Sequence, residues 1–390
     1  MTMRFTRVEL TNWKNFPTAH ANLASRVFLI GPNATGKSNF LDVFRFLRDL
    51  TIEGGGLAKA VEVRGGMRAV RSLYARQQTA VEIKATVKDT AGDGWRYELS
   101  FTHATAGGLA PRVEREAVYR LHADGNEKEK LSPRPDKADK ADRQRLTQTA
   151  LQQVTANRAF RELADFFRSV AYLHIVPQLL REEQTAKLNG IGGDPFGRDL
   201  LDRIRNTKPR ARQGRLSRIQ KVLKVVAPHL EELDLFVDDH GRPHLRSKFK
   251  HWRGFGAYQD ETQFSDGTLR LMGLLWALQE KAGPLLLEEP ELSLHTAIVR
   301  RLAPFIHRVQ KGDDQRQVIL STHSESLLMD IGIAPEEVLL VQPAEEGSKV
   351  VEGASIREIV DLMQSGVPAG EAILPRTETK QMAFFDKLGL

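Results

Sequence analysis

Residues Gly31-Pro32-Asn33-Ala34-Thr35-Gly36-Lys37-Ser38 match the pattern GxxxxGK[ST] in full. Residues of these types at this spacing can hold a chain of phosphates. The glycines let successive backbone N–H groups close around anionic oxygens. A helix starting at Asn39 would add its positive end to the same anion. Lys37 would reach the β- and γ-phosphates, and the Ser38 hydroxyl would ligate Mg²⁺. The plainer reading is a Gly-rich turn. Context argues against it, because the apolar run Val27-Phe28-Leu29-Ile30 precedes the loop and a helical pattern, Asn39 to Leu50, follows it. The candidate nucleotide set is therefore Gly31, Pro32, Asn33, Ala34, Thr35, Gly36, Lys37, Ser38 and Asn39.

Three further clusters carry groups that phosphoryl chemistry uses. Pro284-Leu285-Leu286-Leu287-Glu288-Glu289-Pro290-Glu291 is an apolar run ending in carboxylates. One such carboxylate can complete a magnesium shell and the next can position an attacking water. The plain alternative is a strand followed by an acidic helix start. Phe264-Ser265-Asp266-Gly267-Thr268-Leu269-Arg270 opens a long apolar helix. A Ser before a Gly at that place is an anion-binding arrangement or simply an N-cap. Leu320-Ser321-Thr322-His323-Ser324 ends an apolar run with an imidazole that could contact a γ-phosphate or a water. A lone His there could equally be structural.

These groups need strands and helices to bring them together. Arg4 to Leu10 alternates imperfectly between polar and apolar residues. Val81–Val87 and Trp95–Phe101 flank the turn Ala91-Gly92-Asp93-Gly94, and Val113–Leu121 predicts another antiparallel strand before Asp124-Gly125-Asn126. Residues 127–145 mix charges around Pro133 and Pro135 and predict a solvated loop or linker. From about 146 to 227 the pattern is helical (Phe160, Leu163, Ala164, Phe167, then Leu216, Ile219, Leu223, Val226), and Pro228 ends the last helix. Leu233–Val237 and His244–Phe249 predict a second hairpin, 264–280 a helix, and Pro284–Leu287 and Val318–Leu320 buried strands.

Composition narrows the class. A chain of 390 residues with 41% apolar content is long enough for more than one packed substructure. With zero cysteines it can form neither disulfides nor thiolate metal sites. No run of 18 apolar residues and no apolar leader are found, so no membrane contact is expected and the expected location is cytoplasmic. The net charge of +7 is concentrated between residues 198 and 224, where ten Arg and Lys face two Asp; that stretch carries +8 and the remainder −1. Arg205, Lys208, Arg210, Arg212, Arg215, Arg218 and Lys221 are the candidate contacts to nucleic acid or an acidic partner, against the alternative of a solvated helix face.

The order of phosphate loop, Ser-x-Gly helix, apolar strand with paired Glu and strand with His resembles the ATP-binding-cassette class of P-loop ATPases. It is closest to the branch holding RecF, the SMC proteins and the overcoming-lysogenization-defect (OLD) nucleases. The stretch Arg7-Val8-Glu9-Leu10-Thr11-Asn12-Trp13-Lys14-Asn15-Phe16 resembles that branch's opening strand and "NFxxF"-like loop. The resemblance is specific over 1–50 and 260–330. It implies an α/β ABC-type head: a mixed sheet bearing the phosphate loop, an antiparallel β lobe and a helical insertion lobe. The expected division is 1–140 (N-terminal ATPase lobe), 141–260 (basic helical insertion), 261–345 (C-terminal ATPase lobe) and 346–390 (extension).

By the same resemblance the cofactors are ATP and Mg²⁺. Ser265, Asp266 and Gly267 form a signature acting on the γ-phosphate of a facing subunit. Glu289 is the base, His323 the γ-phosphate sensor, and Ser38, Glu288 and Gln178 (in Val176-Pro177-Gln178) the metal set. The sequence departs from the class twice: the signature is Ser-Asp-Gly-Thr instead of Ser-Gly-Gly-Gln, and Glu288 stands where the wider class uses Asp. OLD nucleases add a metal-nuclease domain, whose opening motif Val350-Val351-Glu352-Gly353 mimics; the 37 residues after it lack an Asp-x-Asp pair, so no nuclease is expected. The implied partners are a second head in an ATP-sandwiched dimer, nucleic acid, and a separate effector protein in anti-phage defence. RecF-like DNA repair is the alternative. A transporter's nucleotide-binding subunit fits the signature poorly, and Glu289 with His323 argues against a non-hydrolysing switch.

Overall fold

The apolar run before the phosphate loop lies at the centre of the molecule. In the computed structural model, the residues described are 2–76, 79–103, 110–181, 194, 196–250, 257–280, 282–311 and 316–377. Strands β1 (Arg4–Trp13) and β2 (Phe16–Asn22) form an opening hairpin. Then come β3 (Arg26–Ile30), the phosphate loop and helix α1 (Lys37–Asp49). All five residues of β3 are buried, as expected of a strand covered on both faces. Six residues of α1, Phe40, Leu41, Val43, Phe44, Phe46 and Leu47, are at 0% exposure. The buried carboxylates of the same helix, Asp42 and Asp49, are paired with Arg64, as buried charges must be. Phe5 of β1 packs 4.8 Å from Phe44, and Phe101 stacks 5.3 Å from Phe46.

Strands β4 (Val81–Lys88), β5 (Gly94–His103), β6 (Pro111–Leu121) and β7 (Glu127–Arg134) continue from the first hairpin. They complete an antiparallel sheet of order β2-β1-β4-β5-β6-β7. Strand β7 corrects the expected loop over 127–145. Its first residues are solvent-exposed and charged, so no apolar alternation marks it. What holds it is pairing to β6, with Tyr119 opposite Lys130, and a buried anchor at its end. Arg134 donates to both oxygens of Asp139 at 2.8 Å. It also lies 3.5 Å from Glu116, which is fully buried.

Helix α2 (Arg161–Arg168), strand β8 (Ala171–Leu173) and the short helix α3 (Pro177–Arg181) follow. β8 falls inside the stretch expected to be helical, and its three residues are too few for a period to show. Helix α4 (Pro209–Val226) starts on a proline, whose fixed φ suits the first helical position, and ends before Pro228. It packs on a small sheet of order β11-β10-β9, built from β9 (Leu230–Val237), β10 (Pro243–Phe249) and β11 (Ala257–Asp260). The expected hairpin is β9–β10; the third strand is an addition to it.

Helix α5 (Asp266–Leu278), β12 (Leu285–Glu288), helix α6 (Thr296–Gln310), β13 (Val318–Thr322), β14 (Val338–Pro343) and β15 (Ser348–Glu352) come next, followed by helices at Arg357–Gln364 and Ala369–Ile373. The core sheet runs β15-β14-β3-β13-β12-β8. β3, β13, β12 and β8 are parallel, with Glu288 opposite Ser321 and Thr322 opposite Ile30. The carboxyl ends of β3, β12 and β13 therefore share one edge of the sheet, the place where open α/β sheets bind ligands. The phosphate loop, the paired glutamates and His323 all emerge there. The nuclease-like Val350–Gly353 motif is the end of β15, where Glu352 accepts from the backbone and side chain of Asn22. Among the described residues no helix is long and apolar enough to cross a membrane. Residues 378–390 of the expected extension lie outside the described residues.

Candidate active site

The phosphate loop is held open by contacts that the motif alone does not reveal. Ala34 and Gly36 adopt left-handed backbone angles, φ 62° and 98°. A Cβ on Gly36 would come within 2.1 Å of the Asn15 side chain, so a glycine is required there. Asn15, in the β1–β2 turn, donates to Thr35 O at 2.8 Å and accepts from Asn39 Nδ2 at 2.7 Å. Trp13 donates its indole N–H to Asn39 O at 2.8 Å. Thr35 Oγ1 donates to Pro32 O at 2.8 Å. No side chain caps the N-terminus of α1, which leaves its first turn presented to an anion.

Lys37 folds back across the loop, its Nζ 2.8 Å from Gly31 O and 3.0 Å from Pro32 O. Burial lowers its pKa, while Glu289, Glu291 and Glu288 act in the opposite direction. A cation thus waits in the field of three carboxylates, where phosphate oxygens could replace the carbonyls.

The glutamates come to the loop from β12, two strands away at the same edge of the core sheet. Ser38 Oγ donates directly to Glu288 Oε1, across 250 residues of sequence. The other oxygen of Glu288 accepts from the Tyr172 hydroxyl, and its backbone carbonyl lies 3.3 Å from His174 Nδ1. Burial, and then the neighbouring carboxylate, push the Tyr172 hydroxyl well above its usual pKa, so it remains a donor. Glu289 turns off the strand with φ 41°, a conformation that non-glycine residues adopt at an energetic cost and that concentrates at functional sites. Its N–H donates to Ser321 O at 3.1 Å. The turn brings its carboxylate 3.1 Å from His323 Nδ1. Behind this pair Glu291 is buried and accepts from Thr322 Oγ1 at 2.5 Å. Burial raises its pKa.

The remaining predicted residues lie as follows. Ser265 caps α5, accepting from Thr268 N at 3.2 Å. Asp266 forms an ion pair with Arg181 at 2.6 Å and accepts from Gln178 Nε2 at 2.7 Å. Gln178, expected in the metal set, is thus joined to the predicted signature and to none of Ser38, Glu288 or Glu289 by a described hydrogen bond. A Cβ on Gly267 would lie 2.5 Å from Ser293 O, so the loop after the glutamates presses on the start of α5.

The basic stretch divides in two. Arg203 pairs with Glu280, Arg215 covers the Trp276 ring at 5.2 Å, and Arg218 donates to Gln279 at 2.6 Å. Arg212 donates to Arg205 O, and Arg205 to Gly241 O, each at 2.9 Å. Arg212, Arg215 and Arg218 tie α4 to its neighbours, Arg203 and Arg205 belong to the preceding helix Leu200–Asn206, and Lys208, Arg210, Lys221 and Lys224 are exposed.

Sequence reasoning missed Tyr172, His174 and Glu291 as site residues, and missed how Asn15 holds the loop. Beside the loop it also missed a cleft of about 690 Å³, lined in part by Lys14, Arg68, Arg71, Tyr74 and Ser348.

A family model described as "AAA domain, putative AbiEii toxin, Type IV TA system" matches residues 26–330. The chain belongs to that AAA domain family. Solved structures give the fold of this AAA domain. One is an SMC head bound to the C-winged helix domain of ScpA: TM-score 0.53, 14% identity, covering 89% of this chain and 97% of that one. Another is an SMC head with an extended coiled coil, bound to the C-terminal domain of ScpA derived from Pyrococcus furiosus: TM-score 0.52, 12% identity, covering 93% and 100%. No curated protein sequence matches the chain. The expected α/β head of the ABC/SMC type is therefore the fold of this P-loop ATPase domain.

Proposed function

We propose that this AAA domain binds ATP with Mg²⁺ and, within a head-to-head dimer, hydrolyses its β–γ phosphoanhydride bond to give ADP and phosphate. One observation carries the reading. Ser38 of the phosphate loop meets Glu288 directly, while Glu289 and His323 stand together beside them. Residues Gly31 to Asn39 would wrap the phosphates, and the 690 Å³ cleft would take the nucleoside. Ser38 and Glu288 are hard oxygen donors, the set Mg²⁺ takes. Among the described residues no group of three or more His, Cys, Asp or Glu could hold a metal alone, which fits an ion completed by phosphate and water. Bound there, Mg²⁺ would neutralise charge on the β- and γ-oxygens. Glu289 would orient and deprotonate water, and His323 would fix the Glu289 carboxylate and face the γ-phosphate. The purified protein should release phosphate from ATP when Mg²⁺ is present and stop when it is chelated. ADP and phosphate forming at the same rate in excess EDTA would sink the reading.

The lobes 1–140, 141–260 and 261–345, with the 346–390 extension, would move as ATP joins two heads. The gated process is DNA-linked and serves anti-phage defence with a separate effector, in a cytoplasmic setting. The family description, with its toxin–antitoxin wording, supports defence over RecF-like repair. The exposed cations of the 198–224 stretch would supply the polyanion contact. Replacing Arg210, Lys221 and Lys224 with Glu should weaken duplex DNA binding and flatten its salt dependence by about 0.9 for each phosphate no longer neutralised. A DNA affinity unchanged between about 50 and 200 mM salt in the wild type would assign this face to an acidic protein instead.

A further inference from the structure

We propose that Tyr172 is a positioning residue that aims the Glu288 carboxylate at the metal and allows a glutamate to work where the wider class uses aspartate. This rests on the ATPase reading above. A glutamate has one more rotatable bond than an aspartate, so fixing its carboxylate costs more side-chain entropy. In this chain both of its oxygens are occupied from different elements, by Ser38 at the start of α1 and by Tyr172 on β8.

The sheet register explains how Tyr172 gets there. It lies opposite Leu286, two residues before Glu288. Residues two apart on a strand share a face, so Glu288 starts from the face that Leu286 buries among the α1 side chains. Tyr172 packs against the same cluster and reaches along that face to the end of β12. Its ring is fixed in turn from α1, where the Arg45 guanidinium stands 4.2 Å from the ring centroid.

The two bonds to Glu288 differ in what metal binding would do to them. The Ser38 hydroxyl must turn from Glu288 to the ion, which breaks the first. The second involves the other oxygen and can persist. Tyr172 therefore keeps the carboxylate in place while its partner changes. Groups that orient a metal ligand in this way typically change metal affinity by about 10–100-fold when removed.

The test is a titration of Mn²⁺, followed by its electron paramagnetic resonance, into the full chain with the non-hydrolysable analogue AMPPNP. Tyr172→Phe keeps the ring and its Arg45 contact and removes only the hydroxyl. The Mn²⁺ concentration for half-saturation should rise about tenfold or more, with AMPPNP affinity in the absence of metal unchanged. In a Glu288→Asp background the shorter carboxylate falls short of the hydroxyl, so Tyr172→Phe should then make no difference. An unmoved half-saturation point in Tyr172→Phe, or an equal shift in both backgrounds, overturns the assignment. Failure of the wild type to bind AMPPNP at all is a different result: it removes the ATPase reading, and this assignment with it.

Discussion

Glu289→Gln protein should bind ATP and keep it. The amide preserves the shape of the side chain and can still meet His323, but it cannot accept a proton from water. The position is sensitive because the backbone at φ 41° turns this one residue off the strand, and the N–H bond to Ser321 O holds the turn. Hydrolysis should slow by about a hundredfold or more, the usual effect of losing a positioned general base. Lys37→Ala should fail earlier, because it removes the cation poised over the Gly31 and Pro32 carbonyls. The two variants therefore separate binding from chemistry in a filter-binding assay run beside phosphate release. Glu288→Gln should give a third result, a raised metal requirement, because that carboxylate is committed to Ser38 and Tyr172. Wild-type hydrolysis by Glu289→Gln would refute its role as base. A Glu288→Gln protein that binds metal normally yet is inert would exchange the two roles.

Much of this site could be read from the sequence because its groups belong to short local patterns. The phosphate loop, the run ending at Glu288 and the run ending near His323 each specify one strand and one loop. Parallel pairing of β3, β13 and β12 then brings them together at one edge. Residues whose part depends on long-range register left no such trace. Tyr172 acquires its role by lying opposite Leu286, on a strand of three residues between two helical patterns. Asn15 acquires its role by reaching Thr35 from a neighbouring hairpin.

Strand β7 was hidden for another reason. Glu127 to Lys130 are all exposed, so the strand has no apolar face at its start, and its buried end depends on Arg134 finding Asp139 and Glu116. The basic stretch shows the opposite failure, in which composition counts too much. Ten like charges look like a single surface until Trp276, Gln279 and Glu280 are found to engage Arg215, Arg218 and Arg203.

Activity should reappear when two dead proteins are mixed. Ser265 caps α5 and so presents that helix's positive end, with Gly267 pressed against Ser293 beside it. Among the described residues, no hydrogen bond joins Ser265, Asp266 or Gly267 to residues 31–39 of the same chain. If the cap instead meets the γ-phosphate held by a facing subunit, it adds N–H donors and a favourable dipole there. Each active site is then shared, specific activity falls on dilution, and Ser265→Arg or Lys37→Ala alone abolishes turnover. In a mixed dimer one site carries both defects and the other carries neither. A mixture of the two variants should therefore hydrolyse ATP, reaching at most about a quarter of the wild-type rate when half the dimers are mixed and only one of their two sites works. Arg at 265 also tests the sign of the effect, because it blocks the gap without removing positive charge. If every mixing ratio stays inactive while both variants remain folded and dimeric, the sites do not pair in trans. Ser265 would then be only the cap of a core helix, contributing about 1 kcal/mol to stability and nothing to chemistry.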